Sequence, residues 1–303
     1  MRPEVIAVHF ALNVPNFGDY ADPATFVGLA REAEASGWDA LFVWDHLLVD
    51  PDWGVPIADP WILLAAAATV TERIRLGPMV TPLARRRPWV VARQAATLDH
   101  LSAGRVTLGV GLGEPPGAEF EAFGEDSDAR VRAGKLDEAL AILDGLWSGE
   151  PFAVEGAFHH LARMRFEPRP VQRPRIPIWV AGFWPARAPF RRAARWDGVF
   201  PASHATEETG EPMPLDELGA ILDVIRAARG PRGLEGFEVM IAGGTPADPA
   251  AAGTILEPYA AAGVTWWSEG LNGWRGPLEA MMDRLRAGPP RVPAIAVPAG
   301  SRA

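Results

Sequence analysis

One unit recurs along the chain: a helix-like stretch, often closed by a glycine, then a short β-branched or aromatic run that stops at a glycine, a proline or a polar group. The instances are EASGWDALFVW, TERIRLGPMV, LSAGRVTLGVG, RAARWDGVFPA and AAAGVTWWSEG, and VIAVHFAL, IPIWVAG and FEVMIAGG complete a set of eight strand segments. Short apolar runs bounded by turn residues read as strands, and their alternation with helical stretches reads as βα units. The helices start and stop with matching chemistry. Asp22-Pro23 and Asp59-Pro60 each put an acidic cap before a proline at the first helical position, where the missing N–H costs nothing. Gly37, Gly104, Gly230 and Gly288 stand where helices should end, because a left-handed residue closes a helix most cheaply when it has no Cβ. Eight strands alternating with helices in 303 residues fit a single α/β domain of the (β/α)8 barrel type better than an open doubly wound sheet.

No linker divides residues 1–288, which read as one barrel domain. The longest departure from the rhythm is residues 149–175, whose short alternating runs and prolines predict a hairpin inserted between the fourth helix and the fifth strand. Residues 289–303, PPRVPAIAVPAGSRA, are too rich in proline for a helix and are expected to trail over the surface.

Composition excludes several kinds of chemistry. A formal charge of −9 argues against nucleic acid as a partner, since phosphate binding normally shows as a basic excess. The chain has no cysteine, so thiolate catalysis, disulfides and zinc–sulfur sites are ruled out. Lys135 is its only lysine, which leaves no other lysine for Schiff-base catalysis. Residues 1–12 carry no basic-then-apolar leader, and no run reaches the ~20 apolar residues needed to span a bilayer. A cytoplasmic protein with no membrane partner is expected.

In a barrel of this kind the carboxyl ends of the strands form the active-site face. Asp45 and His46 end the run FVWDHLL there. The same face collects Asn13-Val14-Pro15-Asn16, Met79-Val80-Thr81-Pro82, Gly111-Leu112-Gly113-Glu114, Trp184, His204, Gly243-Gly244-Thr245 and Ser268-Glu269. Phe17, Trp44, Trp53 and Trp184 make the mouth aromatic, as a flat heterocycle or an apolar organic substrate would require. The polar segment 203–214 is expected to be a mobile loop near this mouth. GVGLGE fails the dinucleotide fingerprint because Glu114 occupies the last glycine position. His159-His160 has no partners at zinc spacing, so no metal is expected. Arg85-Arg86-Arg87 and Arg191-Arg192 have the look of solvated helix faces, with attraction of an anionic cofactor tail as the alternative. Asp99 and Arg105 are expected to tie the turn at the opposite, stability face of the barrel.

With those residues in place, the chain resembles the bacterial-luciferase-like oxidoreductases that use a flavin or a deazaflavin. The resemblance rests on LNVPNFGDY, AREAEASGWDALFVWDHLL, ERIRLGPMVTPL and LDHLSAGRVTLGVGLGE, followed in order by VQRPRIPIWVAG and AARWDGVF. It implies a barrel with an insertion before the fifth strand, and coenzyme F420 or FMN as cofactor. It implies that His46 acts as base or acid beside Asp45, that Glu114 helps to polarise the reacting system, and that Trp44 lines the pocket with Phe17 and Trp53. It further implies a non-proline cis bond at Met79–Val80, with Thr81 following, under the cofactor ring. The phosphate of the cofactor falls to Gly182, Phe183 and Trp184, with Arg187 as a further contact. Asp45-His46 together with Glu114 favours the deazaflavin; Pro115-Pro116, where some relatives carry amide side chains, departs from the pattern. A homodimer is implied, and a separate flavin reductase if the cofactor is FMN. The reaction is then reduction, dehydrogenation or monooxygenation of a small organic substrate. Two other classes stay open: a cofactor-free hydrolase on the same barrel, with Asp45 and Glu114 as paired carboxylates, and a flavin-binding protein without catalysis.

Overall fold

The computed structural model describes residues 4–6, 8–206, 211–246, 248–290 and 295–297. In chain order the elements are β1 (Glu4–Ile6), β2 (His9–Val14), α1 (Pro23–Ala35), β3 (Ala40–Val43), α2 (Pro60–Ala68), β4 (Arg75–Pro78), β5 (Thr81–Pro82), α3 (Pro88–Leu101), β6 (Leu108–Gly111), α4 (Pro116–Glu119) and α5 (Ala129–Trp147). They continue with β7 (Phe152–Glu155), β8 (His160–Met164), β9 (Ile178–Trp184), α6 (Ala188–Ala193), β10 (Gly198–Ser203), α7 (Leu215–Arg229), β11 (Glu238–Ala242), α8 (Pro249–Ala262), β12 (Trp266–Gly270), α9 (Leu278–Arg286) and β13 (Ile295–Val297). Each of the eight expected strand segments contains a strand. The third holds β4, and the two-residue β5 follows just beyond its end. The chain forms two compact units, one of residues 1–14, 31–42 and 178–303, the other of residues 15–30 and 43–177.

In the first unit five strands lie parallel in the order β2, β12, β11, β10, β9. Register pairs His9 with Trp266 and Asn13 with Gly270, and Gly198 with Trp179. Parallel partners share a face, so the large rings gather in one layer. His9 stacks on Trp266 at 4.7 Å between centroids, and Trp179 meets Trp266 at 5.4 Å and Phe42 at 5.7 Å. Gly198 is required there, since a Cβ would lie 2.6 Å from the Trp179 ring. Helix α7 buries Leu218, Ile221, Leu222 and Ile225, the i, i+3, i+4, i+7 stripe of an amphipathic helix.

In the second unit Leu76 of β4 forms an isolated parallel bridge with Val106, two residues before β6, and β5 pairs with β6 through Thr81–Val110 and Pro82–Gly111. Gly77 permits this closeness, because a Cβ would fall 1.8 Å from the Thr107 carbonyl oxygen. Helix α5 packs on α3, and the buried Trp147 donates its indole N–H to the Ala92 carbonyl at 3.1 Å. The predicted caps are in place: Asp59 accepts from the N–H groups of Trp61 and Ile62 at 2.9 and 3.0 Å, and Asp22 accepts from Thr25 at 2.8 Å. The four helix-stopping glycines have φ between 60° and 90°.

Within residues 149–175, β7 and β8 pair antiparallel. The hairpin is held by Glu138 of α5, whose carboxylate accepts from the backbone N–H groups of Ala157, Phe158 and His159 and meets the His159 ring at 3.2 Å. Those donors outweigh desolvation and lower the Glu138 pKa. The expected trailing end differs from the structure at one place: Ile295–Val297 is a strand antiparallel to Glu4–Ile6, because the alternating apolar run between prolines has extended preference of its own. The remainder of the tail beyond residue 290, and residues 207–210 of the expected mobile loop, lie outside the described residues. No helix of the described residues is long and apolar enough to cross a membrane.

Asp99 and Arg105 each gather backbone groups at the turn. Asp99, fully buried, accepts from the N–H groups of Val171 and Gln172 at 2.7 and 3.0 Å and from the Gln172 amide at 2.8 Å. Arg105 donates to the carbonyls of Ser102, Ile74 and Thr71, each at 2.8 Å. Asp99→Ala leaves three part-buried donors without their acceptor and is expected to cost about 2–3 kcal/mol. Urea denaturation would read this as a lower midpoint with an unchanged slope.

Candidate functional site

The second unit carries the acid and imidazole that end FVWDHLL. After β3 the backbone leaves the sheet, and Asn16 holds it in place: its Oδ1 accepts from the His46 N–H at 3.1 Å, while its Nδ2 donates to the carbonyls of His46 at 2.9 Å and Ala58 at 2.7 Å. Asn16 is fully buried, so these bonds are shielded from competing water.

Asp45 and His46 then turn to different partners. Asp45, with its side chain wholly buried, receives Arg86 Nη2 at 2.6 Å, Arg85 Nη2 at 3.1 Å and the Thr81 hydroxyl. Burial pushes its pKa up, but the charges of Arg86 and Arg85 and the hydrogen bonds from Arg86 and Thr81 outweigh this and hold it below the ordinary carboxylate value. His46 instead places Nδ1 2.9 Å from Oε1 of Glu119. Glu119 is 1% exposed and accepts from the Leu47 N–H at 3.1 Å. Arg85 joins the two carboxylates, since its Nε is ion-paired with Glu119 Oε2 at 2.8 Å while its Nη2 reaches both the side chain and the carbonyl of Asp45. Arg85 and Arg86, read from sequence as solvated or tail-attracting, are committed to this network; the 3-10 turn Leu83–Arg85 aims them inward, and only Arg87 is exposed.

Aromatic rings flank the imidazole. Phe17 and Trp44 lie 5.7 and 5.9 Å from it and 5.8 Å from each other. The His46 side chain is 20% exposed, and no hydrogen bond to its Nε2 occurs among the described residues. Trp53 is half exposed and outside this ring cluster. Met79–Val80 is a cis bond. Gly109 on β6 makes room for it, because a Cβ there would meet Met79 Sδ and the Pro78 carbonyl oxygen at 2.5 Å each. Met79 and Thr81 are buried, and Val80 is the half-buried residue of the three. Through Thr81 the bulge bonds to Asp45, the residue next to the imidazole.

The loop after β6 is ordered by Arg132 of α5, which is 4% exposed and donates to the carbonyls of Gly113 at 2.5 Å and Ser127 at 3.0 Å. Glu114, the carboxylate expected in the chemistry, has a half-exposed side chain 3.5 Å from Arg132. The carboxylate that reaches the imidazole is Glu119, five residues further along, at the end of the short helix α4. Sequence reasoning missed it, although a second acid soon after a Pro-Pro step was a usable signal.

In the first unit Gly182, Phe183 and Trp184 end β9. A Cβ on Gly182 would lie 2.2 Å from Pro189, so the glycine is needed where the chain turns into α6. Phe183 stacks on His204 at 4.6 Å, and Arg187 and Arg191 line a groove against Asp223 and Val224 of α7. Glu269, fully buried, pairs with Arg284 at 2.7 Å and Arg275 at 3.2 Å and accepts from Thr245 at 2.6 Å. No group of residues suited to hold a metal ion occurs among the described residues.

Residues 7–252 match the family of luciferase-like monooxygenases, and the chain belongs to that family. It is 34% identical over 262 residues to an F420-dependent glucose-6-phosphate dehydrogenase of Beutenbergia cavernae, covering 84% of this chain and 72% of that protein. Among solved structures it superposes on the coenzyme F420-dependent tetrahydromethanopterin reductase of Methanopyrus kandleri with a TM-score of 0.71 and 17% identity, over 92% of this chain and 96% of the other. It also resembles the oxygenating constituent of a type II Baeyer–Villiger monooxygenase of Pseudomonas putida in complex with FMN, with a TM-score of 0.58 and 20% identity, over 78% and 67% of the two chains. The fold is that of the luciferase-like (β/α)8 barrels, as the alternating strands and helices implied.

Proposed function

We propose that this protein is an F420-dependent oxidoreductase that moves a hydride between the deazaflavin and a small, uncharged alcohol or carbonyl compound, with His46 handling the proton. The observation that carries this reading is the imidazole, one-fifth exposed and anchored at Nδ1 by a buried carboxylate, whose Nε2 has no hydrogen-bond partner among the described residues. The 34% identity to an F420-dependent dehydrogenase supports the choice of cofactor.

The residues present fit a flat heterocycle. The Met79–Val80–Thr81 bulge, pressed against Gly109, offers an uncharged backbone edge, and Trp44 and Phe17 add apolar faces. When bound, the deazaflavin accepts or returns a hydride. His46 Nε2 takes the hydroxyl proton as an alcohol becomes a carbonyl, and returns it to the carbonyl oxygen in reverse. Hydride and proton together account for the two electrons and two hydrogens lost. The Arg85 and Arg86 charges are answered by Asp45 and Glu119, so the site has little to attract an anionic substrate, and its rings favour an apolar one. The family resemblance assigns the cofactor phosphate to Gly182, Phe183 and Trp184, and to Glu114 a part in polarising the reacting system. A cytoplasmic homodimer goes with this reading, and with F420 no separate reductase is needed.

Titrating the purified, cofactor-free protein with oxidised F420 and with FMN, followed by fluorescence, tests it. F420 is expected to bind more tightly, and a panel of secondary alcohols is then expected to bleach its absorbance. Tight FMN binding with none of F420 would overturn the reading in favour of a monooxygenase fed by a separate reductase. Binding of neither would favour the hydrolase.

A further inference from the structure

The neighbour of His46 in sequence is an acid, yet the carboxylate on its ring comes from 73 residues away. Asp45 is fully occupied by Arg86, Arg85 and Thr81. Glu119 accepts from the N–H groups of Leu47 at 3.1 Å and Leu48 at 3.4 Å and is ion-paired with the Arg85 guanidinium at 2.8 Å. A carboxylate so surrounded acts as acceptor only, so the proton of its 2.9 Å contact with the ring sits on His46 Nδ1. With Nδ1 protonated, the neutral imidazole carries its lone pair on Nε2.

We propose that Glu119 is the positioning residue of this site: it fixes His46 as the Nδ1–H tautomer and makes Nε2 the proton acceptor, and Arg85 holds Glu119 to that task. The role is separate from that of Asn16, which fixes the backbone of residue 46 but touches neither ring nitrogen. It is separate too from that of Phe17 and Trp44, which limit the ring's sideways motion without choosing between its nitrogens. Of the contacts around His46, the Glu119 carboxylate alone distinguishes Nδ1 from Nε2 among the described residues. The proposal rests on the reading of His46 as the proton-transfer group, and it gives that group a direction: the resting ring is a base, suited to an alcohol substrate.

The test is long-range proton–nitrogen NMR on protein labelled with 15N at histidine, made without cofactor and at a pH where the ring is neutral. The protein has six histidines, and His46→Gln assigns the signal. Wild type is expected to show Nδ1 protonated and Nε2 bare. In Glu119→Leu, which leaves no acceptor beside Nδ1, the Nε2–H form should appear, and F420 reduction by propan-2-ol or cyclohexanol should fall by about 10²-fold in kcat, with KM little changed. An Nε2–H signal in the wild type overturns the proposal even if the variant does not fold. So does a Glu119→Leu protein that keeps the Nδ1–H signature. A His46→Gln protein with wild-type turnover would instead sink the proton-transfer reading while leaving the tautomer result standing, which keeps the two failures apart.

Discussion

Replacing His46 by alanine is expected to lower turnover by about 10²–10⁴-fold, the usual range for losing a general acid–base group, while F420 still binds. The imidazole meets the protein at Nδ1 and at its ring faces, and the backbone of residue 46 is held by Asn16 through main-chain atoms that alanine retains. The variant therefore keeps its local frame and loses the proton acceptor. Steady-state kinetics beside a fluorescence titration of F420 separates the two effects. A fall in kcat and in kcat/KM by the same factor marks an interaction made in the transition state. Equal loss of cofactor affinity would reassign His46 to binding.

Asp45→Ala is expected to act on stability first. It takes from the Arg86 guanidinium the carboxylate paired with it and leaves Arg85 with Glu119 alone, and breaking a buried pair from one side costs about 3–5 kcal/mol. Calorimetry would show this as a fall in Tm on the order of 10 °C. The pH dependence has a definite sign. Because Asp45 titrates below the ordinary 3.8 in the folded protein, its stabilising contribution is complete above that value and drains away as the pH falls through the folded pKa. Asp45→Asn, close in shape but uncharged, should flatten the decline of Tm with acid below about pH 4. An unchanged acid limb would show that the carboxylate adds nothing to folding.

The barrel was legible because its evidence is local. A run such as VTLGVG needs only its own side chains and flanking glycines to read as a strand, and Asp59-Pro60 only its own backbone to start a helix. Local too was the imidazole at the end of FVWDHLL, since its place in the βα rhythm puts it just beyond the second expected strand. The partner of that imidazole was not legible. Adjacent side chains on extended chain point apart, so the Asp45-His46 dipeptide does not pair internally, and the true partner depends on how the loop after β6 folds back around Arg132. The place of Arg85 and Arg86 was hidden for the same reason: an RRR run reads as solvated surface until buried carboxylates claim two of its three members. The short pairing of Ile295–Val297 with Glu4–Ile6 was hidden by the prolines around it, which argue against helix but say nothing of a strand at the far end of the chain.

Arg85 touches two carboxylates that reach it from opposite sides in the sequence, one 40 residues before it and one 34 after. No lysine can replace it, because one ammonium cannot reproduce a planar fork with separate nitrogens for each acid. Positions 45, 85 and 119 are therefore one unit of charge. A substitution at any one of them leaves a buried ion without its answer, so a single replacement there costs more than exchanging the set together for apolar residues.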